Sequence, residues 1–279
     1  MLLSKKYILG HVTVVLIVIA CFMLSYWQFS RLQDRKDLNK RIESRMTQKE
    51  TEINSLIDPK ISEDSLKQFE YRKVSMFGSY IEKGQVLISG RSREGLPGYN
   101  VATLFKFYSS ADADSAENAT FIYVNRGWIP QTIGDALLDG KAKNSDIAPP
   151  GGYETKREVV GLVRLNEQKQ FVGGTYKKVS AENPESTRFS VELFANVSKL
   201  NKNDVLYPMW VQESYSRIGD EKVFNKFDSN DFPAVVQKPE LTERNHFSYA
   251  IQWLAFGFVA IITWVVICRN ALKKSKQVK

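Results

Sequence analysis

Two stretches without a formal charge, Tyr7 to Phe29 and Phe247 to Cys268, stand near opposite ends of this 279-residue chain. At ~1.5 Å of helix rise per residue, each can cross a hydrocarbon core ~30 Å thick. A chain built this way does not read as a soluble enzyme. It reads as a membrane protein, with two terminal transmembrane helices flanking a β-rich (α+β) extracytoplasmic domain. The divisions are a tail over 1–6, a first span over 7–29, the domain over 30–246, a second span over 247–268 and a basic tail over 269–279.

The charge distribution supports that map. Lys5 and Lys6 precede the first span, and Arg269, Lys273, Lys274, Lys276 and Lys279 follow the second. Removing those seven from the 39 cations leaves 32 against 31 acids, so the segment between the spans is nearly neutral. A pI of about 9.3 is therefore a topology signal and argues against nucleic acid as a partner. The basic tails place both termini in the cytoplasm. Arg31, Arg35, Lys36, Lys40, Arg41 and Arg45 pull the other way, but a connection of this length crosses largely regardless of its charge.

The two cysteines, Cys21 and Cys268, both lie in the spans, so the domain must be held by its core and not by a disulfide. A first span beginning at Tyr7 leaves no room for a transit peptide and favours a bacterial plasma membrane. Val18-Ile19-Ala20-Cys21 has the look of a lipoprotein cleavage site, against which Phe22-Met23-Leu24 continues the apolar run.

Beyond the first span, Phe29, Leu32, Leu38, Ile42 and Met46 form a helical stripe, so the helix is expected to continue outward, with a break at Asp58-Pro59. From Tyr71 the pattern turns to β. Val74 and Met76 alternate with polar neighbours, and Glu82-Lys83-Gly84-Gln85 reads as a hairpin turn. Further strands are expected over Tyr99 to Phe107, Phe121 to Val124, Val159 to Leu165 and Val205 to Val211. Val191 to Leu200 reads as a short amphipathic helix, and Ser109 to Thr120 and Gly134 to Gly152 as long loops. The expected domain is a curved antiparallel sheet or a small barrel.

Catalytic chemistry is sparse. The only histidines are His11, inside the first span, and His246, at the mouth of the second, so a Ser-His-Asp site in the domain has no histidine. No Gly-x-Ser-x-Gly, His-Glu-x-x-His, Cys-x-x-Cys or phosphate-loop spacing occurs. The reading is non-enzymatic, with a membrane-anchored hydrolase as a rival that inhibitor labelling would reveal. Neutral imidazole at a membrane boundary suits an axial haem ligand, and Trp253 lies about two turns further in. Both residues also suit a plain interfacial anchor. Trp27-Gln28 and Gln252-Trp253, at matching depth, suggest that the helices pack there.

Several blocks then converge. Tyr26-Trp27-Gln28 is followed by Val86-Leu87-Ile88-Ser89-Gly90-Arg91, Gly95-Leu96-Pro97-Gly98-Tyr99 and Val124-Asn125-Arg126-Gly127-Trp128-Ile129-Pro130, with Arg164-Leu165-Asn166-Glu167 as a weaker echo. Asn245-His246-Phe247-Ser248-Tyr249-Ala250-Ile251-Gln252-Trp253 closes the set. In these blocks the chain resembles the surfeit-locus-one (Surf/Shy) family of cytochrome c oxidase assembly factors, over essentially its full length. It departs from the family pattern at Leu104, at Arg244 and in lacking a tryptophan near Phe189.

The resemblance implies a chaperone of cytochrome c oxidase assembly in the cell inner membrane, acting in biogenesis of respiratory chain complex IV. Its partners would be oxidase subunit I and other assembly factors, and its task the haem a centres of that subunit. Some bacterial members are thought to bind haem a through the histidine matching His246, which makes His246 the metal ligand to consider. Arg244, Arg126, Arg31 and Arg91 are candidates to pair the propionates, with Arg126 equally suited to a buried structural ion pair, and Trp253 is a candidate to line the site. Helix rise puts His11 and His246 on the order of 25–30 Å apart, so they cannot share one haem within a chain. The alternative from the same resemblance is a structural chaperone that clamps a nascent oxidase subunit without touching cofactor.

Overall fold

The computed structural model describes residues 5–107, 119–168, 179–223, 233–234, 241 and 245–277. It divides into two units, a helical one (1–43 with 239–279) and a sheet-rich one (44–238).

The helical unit holds α1 (Lys5–Met46) and α6 (His246–Gln277), and each is long and apolar enough to cross a membrane. As expected, α1 continues past the apolar run, and Leu32 and Ile42 of its stripe are buried. It ends at Met46, well before the break expected at Asp58-Pro59. The chain then forms a short strand β1 (Thr51–Glu52) and two single-turn helices, α2 (Ile53–Leu56) and α3 (Glu63–Leu66), which already bury Ile53, Ile57 and Leu66.

The sheet domain is a closed barrel. Its strands are β2 (Lys73–Arg93), β3 (Leu96–Phe107), β4 (Thr120–Pro130), β5 (Arg157–Arg164) and β7 (Val205–Ile218), running β2-β3-β4-β7-β5 and back to β2. The marginal strands β6 (Glu185–Ser186) and β8 (Glu221–Val223) pair with β2 and β7. Of the two expected arrangements the small barrel is the one formed, and its closing pairs are antiparallel except β4 with β7, which is parallel. Closure removes the exposed edges that an open sheet would present.

The barrel closes because β2 is one long bent strand. Residues 73–78 pair with β5 and residues 78–93 with β3. The segment expected to be a hairpin turn, Glu82 to Gln85, is instead an irregularity within β2. The register runs from Ile81↔Leu104 to Val86↔Ala102, and Gly84 takes φ +119°. A bulge with glycine at positive φ bends a strand without reversing it. The segment expected as a loop over Gly134 to Gly152 is also partly helical. It takes in the last residues of α4 (Gln131–Leu138) and a 3-10 turn (Asn144–Ile147), where Ile133, Leu137, Leu138 and Ile147 pack with Leu87, Tyr99, Val101 and Ile129. Most of the loop expected over Ser109 to Thr120 lies outside the described residues, as do Gly173 and Gly174.

Period-2 alternation divides the barrel's side chains. Val74, Met76 and Tyr80, Phe105 and Phe107, Ile122 and Val124, Val159 and Val163, and Tyr207, Met209 and Val211 form one cluster fed by every barrel strand, which places it inside. The opposite faces, including Ala102, Leu104, Phe121, Tyr123 and Trp210, are covered by α5 (Val191–Ser198) through Val191, Phe194 and Val197. The helix expected over Val191 to Leu200 is thus present, and it explains why β4 is buried on both faces.

Candidate functional site

Contacts along α1 and α6 follow an antiparallel ladder. Phe29 meets Phe247 edge-on at 6.3 Å, Ser25 Oγ donates to the Ala250 carbonyl at 2.9 Å, and Phe22 meets Phe258 at 6.4 Å. Ser25 and Ala250 are buried, as is Cys21, whose Cβ lies 3.4 Å from where a side chain at Gly257 would begin. Small and hydroxyl side chains at such contacts let two membrane helices approach closely.

His246, the first residue of α6, sits at one end of this ladder, half-buried, with Nδ1 2.9 Å from the Gln28 side-chain oxygen. At the other end, the Trp264 indole N–H donates to His11 Nδ1 at 2.8 Å, and the two rings pack edge to face with centroids 5.2 Å apart. Gly10 makes that packing feasible, since a Cβ there would lie 2.1 Å from the indole. His11 and Gln28 are seventeen positions apart along α1, or ~26 Å of helix. The two histidines do not converge.

Trp253 is half-buried on α6 and packs edge-on against Phe256 at 5.8 Å. Gln252, its neighbour, is exposed on the helix surface. The helices do pack at the depth of Trp27-Gln28, as the two Trp/Gln pairs suggest, and Gln28 there meets His246. The signal for Gln28 was depth: it is the penultimate residue of the first apolar run, and His246 immediately precedes the second. Arg244 lies outside the described residues.

Arg126 is not at a surface. Its alternation with Ile122 and Val124 points it into the barrel, where it is 1% exposed. Nε donates to Thr103 Oγ1 at 2.8 Å, and Nη2 to Gln85 Oε1 and the Ile147 carbonyl, each at 2.9 Å. The guanidinium also lies 5.4 Å from the Tyr153 ring centroid and 5.6 Å from that of Tyr80. A propionate at an outer surface would have no access to it as placed.

The same end of the barrel interior receives Arg157 from β5 and Glu213 from β7. Tyr80 Oη donates to Glu213 Oε2 at 3.0 Å, Ser216 Oγ donates to Oε1, and Arg157 Nη2 donates to the Pro150 and Gly152 carbonyls at 2.8 Å. Burial pushes the Glu213 carboxyl above the usual carboxylate range, an effect that these hydrogen bonds and the two guanidinium groups offset only in part. Burial likewise raises Tyr80 and lowers Arg157. The barrel is thus apolar at one end and a hydrogen-bonded polar cluster at the other, invisible until the strands are registered.

The remaining residues of the Arg126 block also have structural tasks. Trp128 exchanges backbone hydrogen bonds with Ala234, N to O at 2.7 Å and back at 2.8 Å. Gly127 has φ +144°, and a Cβ there would lie 2.4 Å from the Ala234 carbonyl oxygen. In the Arg164 block, Asn166 Oδ1 accepts from the Val191 N–H at 3.0 Å, and Glu167 accepts from Arg91 Nη2 at 2.6 Å and from the Phe189 N–H at 3.0 Å. Among the described residues, no group of three or more His, Cys, Asp or Glu could hold a metal ion.

Residues 15–258, from within α1 to within α6, match the SURF1 family. The chain belongs to that family. The cytochrome oxidase assembly protein SHY1 of Saccharomyces cerevisiae is 28% identical, over 96% of this chain and 77% of its own length. A SURF1-like protein of Caenorhabditis elegans is 22% identical, over 94% of this chain and 75% of its own. Surfeit locus protein 1 of Xenopus tropicalis is 29% identical over 56% and 49%. The SURF1 match takes in Gln28, Arg126, His246 and Trp253, and it begins after His11.

Proposed function

We propose that this SURF1-family protein is a non-catalytic assembly factor for cytochrome c oxidase. In this reading it acts in a bacterial inner membrane, with both termini cytoplasmic and the barrel outside. Family membership and the name of the yeast relative support the assembly role, and the basic C-terminal tail supports the orientation. The proposed partner is oxidase subunit I, and the proposed cargo its haem a.

The observation that carries the cofactor reading is the placement of His246. It is half-buried at the outer end of the helix pair, with Nδ1 already engaged by Gln28. A neutral imidazole with one nitrogen hydrogen-bonded can offer the other to a metal, so His246 would hold the iron of a bound haem through its free nitrogen. A bound haem would supply an iron with open coordination and two propionates. His11 supplies no second ligand, being ~26 Å of helix away with its Nδ1 taken by Trp264. A carrier must release its cargo, and a single protein ligand suits that need.

The first test is a reduced-minus-oxidised spectrum of membranes from cells lacking the gene, with oxidase activity measured alongside. Loss of both the haem a signal and activity places the protein in oxidase assembly; no change in either removes it from that role. Purified protein then separates carrier from clamp. Haem a that co-purifies with wild type and with His11→Ala, but not with His246→Ala, supports the carrier. A colourless complex with subunit I supports a clamp that never touches cofactor.

A further inference from the structure

We propose that Gln28 is the positioning residue for His246. Its side-chain oxygen accepts a hydrogen bond from Nδ1–H and so holds the imidazole in the tautomer that leaves the Nε2 lone pair free. The inference rests on the reading of His246 as an axial ligand and adds which nitrogen binds and what fixes it.

The hydrogen-bond inventory determines the tautomer. An amide oxygen only accepts, so the 2.9 Å contact between Gln28 Oε1 and His246 Nδ1 requires the proton on Nδ1. In neutral imidazole the other nitrogen is then an acceptor. The second histidine shows the opposite arrangement. An indole N–H only donates, so the 2.8 Å contact from Trp264 requires a bare Nδ1 on His11 and puts its proton on Nε2. Two rings in one helix pair are thus set in opposite tautomers by partners of opposite hydrogen-bonding sense.

The geometry around Gln28 is fixed on both sides. Three residues before it, Ser25 ties α1 to the Ala250 carbonyl, and one residue after it Phe29 packs on Phe247. The bond from Gln28 thus joins two helices whose relative position is already set, so the ring is oriented as well as protonated. Hydrogen bonding of a ligand histidine's second nitrogen fixes tautomer and ring orientation, and its loss commonly costs ~10–100-fold in metal affinity.

The chain has two histidines, which makes a direct test simple. Full-length protein labelled with ring-15N histidine, reconstituted in lipid nanodiscs, should show one ring protonated at Nδ1 and one at Nε2. Gln28→Leu should move the His246 ring to the Nε2–H tautomer and leave His11 unchanged; Gln28→Glu, which keeps an acceptor, should preserve Nδ1–H. In hemin titrations, Gln28→Leu should bind about 10-fold more weakly or worse, and Gln28→Glu at least as tightly as wild type. A wild-type His246 protonated at Nε2, or one unmoved by Gln28→Leu, overturns the proposal. So does a tautomer that moves while hemin affinity stays constant and His246→Ala still abolishes binding. Hemin bound equally by wild type and His246→Ala overturns the ligand reading, and the tautomer spectra then decide the hold of Gln28 on the ring separately.

Discussion

Trp264 donates its indole proton to His11 Nδ1 across 2.8 Å, and the pair closes the end of the helix ladder opposite His246. The bond gives His11 a structural partner. Trp264→Phe keeps an aromatic ring but removes the donor and the benzo ring that packs on Gly10, so it should cost the helix pair at least the ~0.6 kcal/mol that is the mean for such bonds in membranes. Hemin retention should be unchanged. Unfolding in mixed micelles and hemin titration check both, and a hemin defect comparable to that of His246→Ala would return His11 to the binding site.

Arg126 should behave as a core residue. Arg126→Leu leaves Thr103 Oγ1 and the Ile147 carbonyl without the guanidinium donor in the barrel interior, while Gln85 Oε1 keeps only its longer bonds from Thr103 and Tyr153, each at 3.2 Å. The expected destabilisation is on the order of 3 kcal/mol. Arg126→Lys should recover only part of it, since an ammonium cannot reproduce the planar fork. Urea unfolding of the full chain in detergent, followed by tryptophan fluorescence, measures the cost. A change below about 1 kcal/mol would show that the cluster rearranges without its guanidinium.

Gly127→Ala tests the contact between β4 and Ala234. The new methyl meets the Ala234 carbonyl and the backbone stays at a positive φ, so the Trp128–Ala234 bridge should open at a cost of roughly 2 kcal/mol or more. Hydrogen exchange at the Trp128 and Ala234 amides should accelerate while the β3–β4 ladder stays protected. Unchanged exchange would mean that the strained backbone relaxes elsewhere.

Glu50 gives the acid side of the stability profile a definite sign. Its carboxylate accepts from Arg217 Nη1 at 2.9 Å and from Tyr215 Oη at 3.1 Å, and lies 3.4 Å from Lys73 Nζ. Partial burial alone would raise it, but these partners outweigh that and hold it below the usual carboxylate range. A carboxyl lowered on folding stabilises above its unfolded value and loses that contribution as pH falls through the folded value. Glu50→Gln should therefore lower Tm at pH 7, by an amount equivalent to about 1 kcal/mol, and flatten the pH dependence below the ordinary glutamate range. Thermal unfolding of both proteins from pH 3 to 7 provides the comparison. Parallel curves would contradict the assignment.

The apolar runs and the stripe beyond them were legible because membrane thickness and helical periodicity are read one residue at a time. The strands over Tyr99 to Phe107 and Val205 to Val211 were legible for the same reason. Gly84 was misleading, since a glycine between two β runs signals a turn or a bulge equally well, and only the long pairing of β2 with β3 decides which. Arg157 and Glu213 carried no local signal, because their burial depends on strands distant in sequence meeting at one end of a barrel. The two Trp/Gln pairs mark an end at which the helices do pack, but the particular bond from Gln28 to His246 shows only once antiparallel helices are aligned by depth.

The strand order also sets a timetable. β7 sits between β4 and β5, parallel to one and antiparallel to the other, and it is the last barrel strand to be synthesised. Until Val205 to Ile218 have emerged, β4 and β5 each keep an edge with unpaired backbone groups. Such edges recruit other strands and promote aggregation. A chain that stops short of β7 is thus a nearly complete sheet with two sticky sides. The interval between the making of β5 and the arrival of β7 is therefore when the barrel is most open to mispairing.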